Sequence, residues 1–156
     1  MIKEGEKAID FNLPGIDETG VEREYSLKDF KGRALILYFY PKDNTSGCTK
    51  EACDLRDNMA RLVKSGAAVV GVSPDSLSSH KKFKEKQGLP FPLLSDPEKK
   101  VAAIYGAYGE KKMYGKAVKG IIRSTFIIGK DGIVKKAWRS VKVAGHVDQI
   151  LASFGE

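Results

Sequence analysis

The sequence predicts an α/β domain with a mixed central sheet and helices on both faces. Two apolar runs, Ala34 to Tyr40 and Ala67 to Val72, bracket an amphipathic stretch. Strand, helix and strand in that order imply a right-handed parallel crossover between strands buried on both faces. Later in the chain, 125–128 and 133–138 flank Gly129-Lys-Asp131-Gly132, a hairpin signal that adds antiparallel members. At 156 residues and 42% hydrophobic content, the chain has the length of one domain, taken as 1–156, and enough apolar mass for a core.

The elements follow in order. Asp10 to Leu13 reads as a short strand ended by Pro14-Gly15, with a turn at Glu18-Thr-Gly20 and a partner strand from Glu22 to Ser26. Leu27 to Gly32 is a helical turn or tight loop. Ala34 to Tyr40 is the central strand, and Pro41 stops it. From Ser46 the period becomes helical: Ala52, Leu55, Met59, Leu62 and Val63 share a face, and Lys64 and Gly66 suit the end. Ser76 to Gln87 is a polar helix broken by Gly88-Leu-Pro90, and Phe91 to Leu94 is extended. Asp96-Pro97 opens a helix to about Tyr105, with proline in its first turn. Gly106 to Gly120, rich in glycine and lysine, reads as a surface loop. Val147, Ile150, Leu151 and Phe154 line a closing helix. This order is thioredoxin-like with an N-terminal extension.

Composition narrows the function. The formal net charge is +7, but the basic residues are dispersed and mostly interleaved with acids, as in Lys84-Glu85-Lys86. That is a solvated surface rather than a nucleic-acid face. The longest apolar run is too short to span a membrane, and the N-terminus lacks the apolar segment of a signal peptide. The expectation is a soluble cytoplasmic protein. Neither His80 nor His146 has metal-ligand spacing to the cysteines, so no metal is expected. No phosphate loop or dinucleotide fingerprint occurs, so no cofactor is expected either. Gly71-Val-Ser73-Pro-Asp75 lacks the second glycine of a nucleophile elbow.

The two cysteines, Cys48 and Cys53, lie where the central strand hands over to the helix. Two cysteines in a cytosolic chain point to catalysis or redox activity more than to a structural staple. A thiol in a first helical turn is biased toward thiolate, the nucleophilic form. Free N–H groups and the positive end of the helix dipole favour that anion.

The segment Pro41-x-x-x-Thr45-x-x-Cys48 resembles the Pro-x-x-x-Thr-x-x-Cys signature of peroxiredoxins. Thr49 and the second cysteine five positions on are similar to the bacterioferritin comigratory protein (PrxQ) branch. Arg123, in Ile122-Arg-Ser-Thr-Phe126, resembles the family's active-site arginine. The resemblance runs from Gly5-Glu-Lys-Ala-Ile-Asp-Phe11 to the closing helix. Ser46 departs from it, since many members of this branch carry proline there.

The resemblance implies a thioredoxin-like fold and a peroxidase. Cys48 would attack hydrogen peroxide or an alkyl hydroperoxide, leaving a sulfenic acid. Arg123 would hold thiolate and leaving oxygen. Thr45 would accept from a peroxide oxygen or donate to the sulfur, and Pro41 would wall the pocket. Cys53 would condense with the sulfenic acid to a disulfide, recycled by thioredoxin or glutaredoxin. With both cysteines in one chain, a monomer suffices. If both residues are helical, their Cα atoms lie about 8–9 Å apart, beyond the roughly 7 Å a disulfide tolerates. The first turns of the helix are then expected to unwind. Two rivals stand beside this reading: a thiol–disulfide oxidoreductase, which usually uses Cys-x-x-Cys, and a basic binding or holdase protein, which leaves the motif unexplained.

Overall fold

Every residue of β3 (Ala34–Phe39) is buried, and the computed structural model, which describes residues 1–155, is arranged around it. The domain expected over 1–156 ends one residue outside that range. The strands before β3 are β1 (Leu13–Ile16) and β2 (Glu22–Tyr25). After it come α1 (Ser46–Asp57), α2 (Met59–Lys64), β4 (Ala67–Ser73), α3 (Leu77–Gln87), β5 (Leu93–Ser95) and α4 (Lys100–Ile104). The chain continues with β6 (Tyr108–Met113), β7 (Lys116–Ile121), β8 (Ser124–Ile128), β9 (Val134–Arg139) and α5 (His146–Ser153).

Seven strands form one sheet in the order β2-β1-β5-β4-β3-β8-β9. The β3–β4 and β4–β5 pairs are parallel and the others antiparallel, so the sheet is mixed as expected. Because side chains alternate along a strand, β3 feeds two cores. Leu35, Leu37 and Phe39 pack with Val101, Ala102 and Tyr105 on one face. Ile36 and Tyr38 pack with Cys48, Ala52, Leu55, Leu62, Phe83 and Ile150 on the other. Each such burial stabilises by roughly 1.5–3 kcal/mol, and the second core is the one that fixes α1.

Five expectations are corrected. The first strand begins at Leu13 and runs through Pro14-Gly15 instead of ending there. The Asp17 N–H donates to Val21 O, so Gly15 and Leu13 are the residues that bond to β2. Pro14 faces the other way, beyond the end of the β5 pairing, where a missing N–H breaks no ladder bond. The helix after Ser46 is interrupted at Asn58, whose side-chain amide donates to Asp54 O at 2.8 Å while its N–H turns to Leu55 O. Beyond that break Val63 is exposed rather than facing the core. Pro97 lies ahead of α4 rather than in its first turn, because Lys99 takes φ 61° and the Asp96 carboxylate accepts from the Lys100 and Ala102 N–H groups. The stretch 106–120 is a hairpin, β6–β7, and not a loop. Its two-residue turn, Tyr114-Gly115, has φ 52° and 78°, the positive pair that matches strand twist. Lastly, the helix read as polar, α3, buries His80, Phe83 and Lys84. Among the described residues, no helix is long and apolar enough to cross a membrane.

Tyr38 on β3 is registered against Gly71 on β4. A Cβ at Gly71 would lie 2.8 Å from Tyr38 Cζ and 2.9 Å from its Oη. The ring is also in contact with Tyr40 and Phe91, so it has little room to retreat. Gly71→Ala is therefore expected to destabilise the fold by about 1–3 kcal/mol, read from urea denaturation. An unchanged midpoint would show that the ring has space to move.

Candidate active site

Tyr40 extends β3 by donating its N–H to Val72 O, and Pro41 then turns the chain into the loop that leads to α1. Asn44 in that loop takes φ 62°. Thr45 is the residue ahead of the helix, yet its hydroxyl does not cap it: Oγ1 donates to Lys42 O at 2.8 Å. The first helical bond runs from Thr49 N–H to Thr45 O. The N–H groups of Ser46, Gly47 and Cys48 are thus left for an anion.

Cys48 follows in the first turn and is only 1% exposed. Its neighbour across the fold is Arg123, at the start of β8. The β3–β8 register pairs Phe39 with Ser124, so Arg123 comes level with the end of the central strand. Arg123 Nη2 lies 3.4 Å from Cys48 Sγ, and Nη1 donates to Glu51 Oε1 at 2.6 Å. Gly47 permits this approach, because a Cβ there would sit 3.2 Å from Nη2. Cys53 lies half-buried on the same unbroken helix, outside the arginine cluster, and its Sγ is 3.5 Å from Gln87 Oε1. Both thiols are free.

The electrostatics are those of one cation between two acids. Burial works against the Arg123 charge, but the Glu51 carboxylate and the Cys48 sulfur outweigh it and hold the guanidinium above its ordinary value. Burial pushes Glu51 from its ordinary 4.5 up to about 7, with Arg123 pulling in the opposite direction. The direction fits the geometry, since Glu51 Oε2 is buried without a hydrogen-bond partner. Tyr38 Oη is likewise buried and unpartnered, and burial, then the nearby Glu51 and Cys48, raises its phenol well above the ordinary range. Chemically, the arrangement gathers a permanent cation and unused N–H donors around one nucleophilic sulfur.

Of the residues singled out from sequence, Cys48 and Arg123 are brought into direct contact. Thr45 and Pro41 lie on the loop beside them, and Cys53 waits on the helix. With its proton engaged by Lys42 O, Thr45 keeps acceptor capacity, and it makes no bond to the sulfur. Sequence reasoning missed the spatial role of Gly47. It also missed Lys111, whose Nζ donates to Ile121 O and whose pKa is held below its ordinary value by burial and then by Arg123. Recognising the β6–β7 hairpin would have found Lys111.

The AhpC/TSA family profile matches residues 4–137. Peroxiredoxin Bcp of Bacillus subtilis is 49% identical over 150 residues, covering 96% of this chain and 93% of that protein. The fold is similar to PrxQ of Xylella fastidiosa, with a TM-score of 0.90, 36% identity and coverage of 99% and 96% of the two chains. It is also similar to the bacterioferritin comigratory protein of Xanthomonas campestris, studied for its alkyl peroxide reduction activity. There the TM-score is 0.82, with 43% identity and coverage of 92% and 90%.

A raised Glu51 has a consequence for stability. Between its ordinary value of 4.5 and about 7, the folded protein holds a proton that the unfolded chain has released. Stability contributed by this group therefore falls as pH rises through that window. Glu51→Gln cannot ionise but keeps an acceptor for Arg123. It is expected to flatten the stability curve between pH 4.5 and 7, measured by urea denaturation. Equal slopes in both proteins would show that Glu51 ionises normally.

Proposed function

The chain belongs to the AhpC/TSA family, and from that premise we propose that Cys48 is the thiol that attacks peroxide and Cys53 the thiol that resolves it. The protein is a thiol-dependent peroxidase, and its substrate is a peroxide. The observation that carries the assignment is the Arg123 Nη2 contact of 3.4 Å to Cys48 Sγ.

The Cys48 thiolate attacks the terminal peroxide oxygen and breaks the O–O bond. The sulfur becomes a sulfenic acid, and the departing oxygen leaves as hydroxide or alkoxide and takes up a proton. Arg123 and the free N–H groups of the helix start stabilise the charge as it moves from sulfur to oxygen. Thr45 accepts a hydrogen bond from the incoming hydroperoxide O–H. Pro41, half-buried and without an N–H, closes one wall. The Cys53 thiol then displaces water from the sulfenic acid, forming an intramolecular disulfide. Exchange with an external dithiol, thioredoxin or glutaredoxin, restores both thiols. The thiols supply both electrons, so the balance needs no cofactor.

Hydrogen peroxide and alkyl hydroperoxides both fit this chemistry, and the Xanthomonas relative supports the alkyl class. The chain works as one domain and as a monomer in the cytoplasm, since both thiols sit on one helix and the cycle needs a reducing compartment. The dispersed positive charge needs no nucleic-acid partner. The burial of Cys48 and the wide spacing of the cysteines argue against a general thiol–disulfide oxidoreductase. A peroxide can reach a sulfur that a protein disulfide cannot.

With α1 unbroken from Ser46 to Asp57 in the thiol state, the two Cα atoms are about 8–9 Å apart by helix geometry. The disulfide needs roughly 7 Å or less, so the helix start unwinds after the first oxidation. One equivalent of hydrogen peroxide is expected to remove two hydrogens from the wild-type mass. Cys48→Ser should be inert, while Cys53→Ser should gain one oxygen and turn over poorly with thioredoxin. Equal loss of the first step in both variants would remove the division of labour. Hydrogen exchange supplies the second test. Amides 49–53 are expected to lose protection on oxidation, and retained protection alongside a formed disulfide would overturn the unwinding.

A further inference from the structure

Beneath the loop between β3 and α1 lies a buried polar network that the chemistry above does not use. Asp43 is 5% exposed and His80 0%. The Asp43 carboxylate accepts from Tyr40 Oη at 2.7 Å on Oδ1 and from Ser79 Oγ at 2.8 Å on Oδ2. His80 Nδ1 lies 2.8 Å from that same Oδ2, and His80 Nε2 lies 2.9 Å from Leu94 O. The Asp43 N–H donates to Asp75 Oδ2 at 2.8 Å, and Ser73 Oγ donates to the same oxygen at 2.7 Å. Tyr40 at the end of β3 and two residues of α3 thus converge on one loop carboxylate, with β5 reached through His80 and β4 through Asp75.

Hydrogen-bond accounting orients the ring. A carbonyl only accepts, so Nε2 donates to Leu94. The other nitrogen, Nδ1, then shares a proton with Asp43 Oδ2, so the ring is bonded through both of its nitrogens. Ligand-type atoms of Asp43, Asp75 and His80 lie within 4.8 Å of one another, a spacing that could also suit a cation. Here N–H and O–H donors already engage these oxygens, so protons hold the cluster together.

We propose that His80 is a positioning residue of the peroxidase: its ring, bonded through both nitrogens, pins Asp43 and so holds the loop from Pro41 to Thr45 in place beside Cys48. The proposal rests on the reading of Cys48 as the attacking thiol. Asp43 is two residues from Pro41 and two from Thr45, so the pin stands midway between the two pocket residues. Asn44, next to it, takes φ 62°, a left-handed turn conformation that asparagine tolerates. The pin also gives the unwinding helix a fixed boundary. Residues after Asp43 can rearrange while the end of β3 stays still.

The test separates positioning from stability. Asp43→Ala/His80→Leu removes both partners, leaves no orphan buried charge and is expected to stay folded. Its reaction with hydrogen peroxide is expected to slow about tenfold, because small misplacements of a reacting geometry have effects of that order. In Asp43→Asn the amide donates to a neutral Nδ1 and to Ser79 Oγ while its oxygen accepts from Tyr40. That variant should recover most of the rate lost in the double variant. In the wild type, ¹⁵N spectra of His80 should show both ring nitrogens in hydrogen bonds. A double variant as fast as wild type, an asparagine variant as slow as the double one, or a ring nitrogen without a hydrogen bond would each overturn the proposal. A Cys48→Ser protein that still consumes peroxide would overturn the reading beneath it, and the proposal with it.

Discussion

The site depends on one guanidinium serving two acids. Arg123 reaches Glu51 at 2.6 Å and Cys48 at 3.4 Å through different nitrogens. A planar fork can do this and an ammonium cannot. The sheet makes the meeting possible: β8 lies antiparallel beside β3, with Ser124 opposite Phe39, and this lifts Arg123 to the level where α1 begins. Two anions and one cation in a buried space are out of balance by one charge. The balance is eased at Glu51, whose carboxyl burial pushes up to about 7. Whenever Glu51 holds its proton, the whole of the Arg123 charge is available to the sulfur.

The same helix has to be ordered and breakable. An ordinary N-cap would satisfy first-turn N–H groups and stabilise the helix by about 1 kcal/mol. Thr45 has the side chain for that role but spends its proton on Lys42 O. Gly47 weakens the helix by roughly another 1 kcal/mol relative to alanine, and it is also what lets Arg123 approach. Each departure from good helix design therefore does two things. It leaves donors facing the thiolate, and it lowers the barrier to the rearrangement that a disulfide between Cys48 and Cys53 requires. Further along, Ala52 and Leu55 are buried in the core and anchor the part of α1 that stays.

Much of this was legible in the sequence, and the rest was hidden for physical reasons. The central strand, the crossover to β4 and the β8–β9 hairpin stand out because two-sided burial leaves long apolar runs. The cysteines stand out by their place where strand hands over to helix, and Thr45 only through its resemblance to a family signature. Arg123 could be picked only through its resemblance to a family, since nothing local to Ile122-Arg-Ser-Thr-Phe126 says which sulfur it will face. The β6–β7 hairpin was invisible because it is a largely exposed ribbon with no apolar alternation, and its signal is a Tyr-Gly pair at positive φ. Its lysines conceal Lys111 beside the site. His80 was hidden in a helix of polar residues. Its burial is satisfied by Asp43 and by Leu94 O, just as Lys84 is satisfied by the carbonyls of Leu89 and Phe91, and such partners cannot be read from spacing.

In the proposed cycle, burial of Cys48 divides catalysis between two structures. At 1% exposure the sulfur is closed to a folded protein. The form that meets peroxide must keep the helix start wound, because the free N–H groups and the Arg123 contact exist only there. The form that meets a dithiol must present the disulfide at the surface, and unwinding delivers this, since Cys53 already sits half-exposed on the rim of the helix. Each oxidation state thus favours the shape its own next reaction needs. The contact between the Cys48 sulfur and Arg123 belongs to the wound form. In the proposed cycle, oxidation of that sulfur to a sulfenic acid loosens its hold on Arg123, and the helix start is released when Cys53 has something to attack.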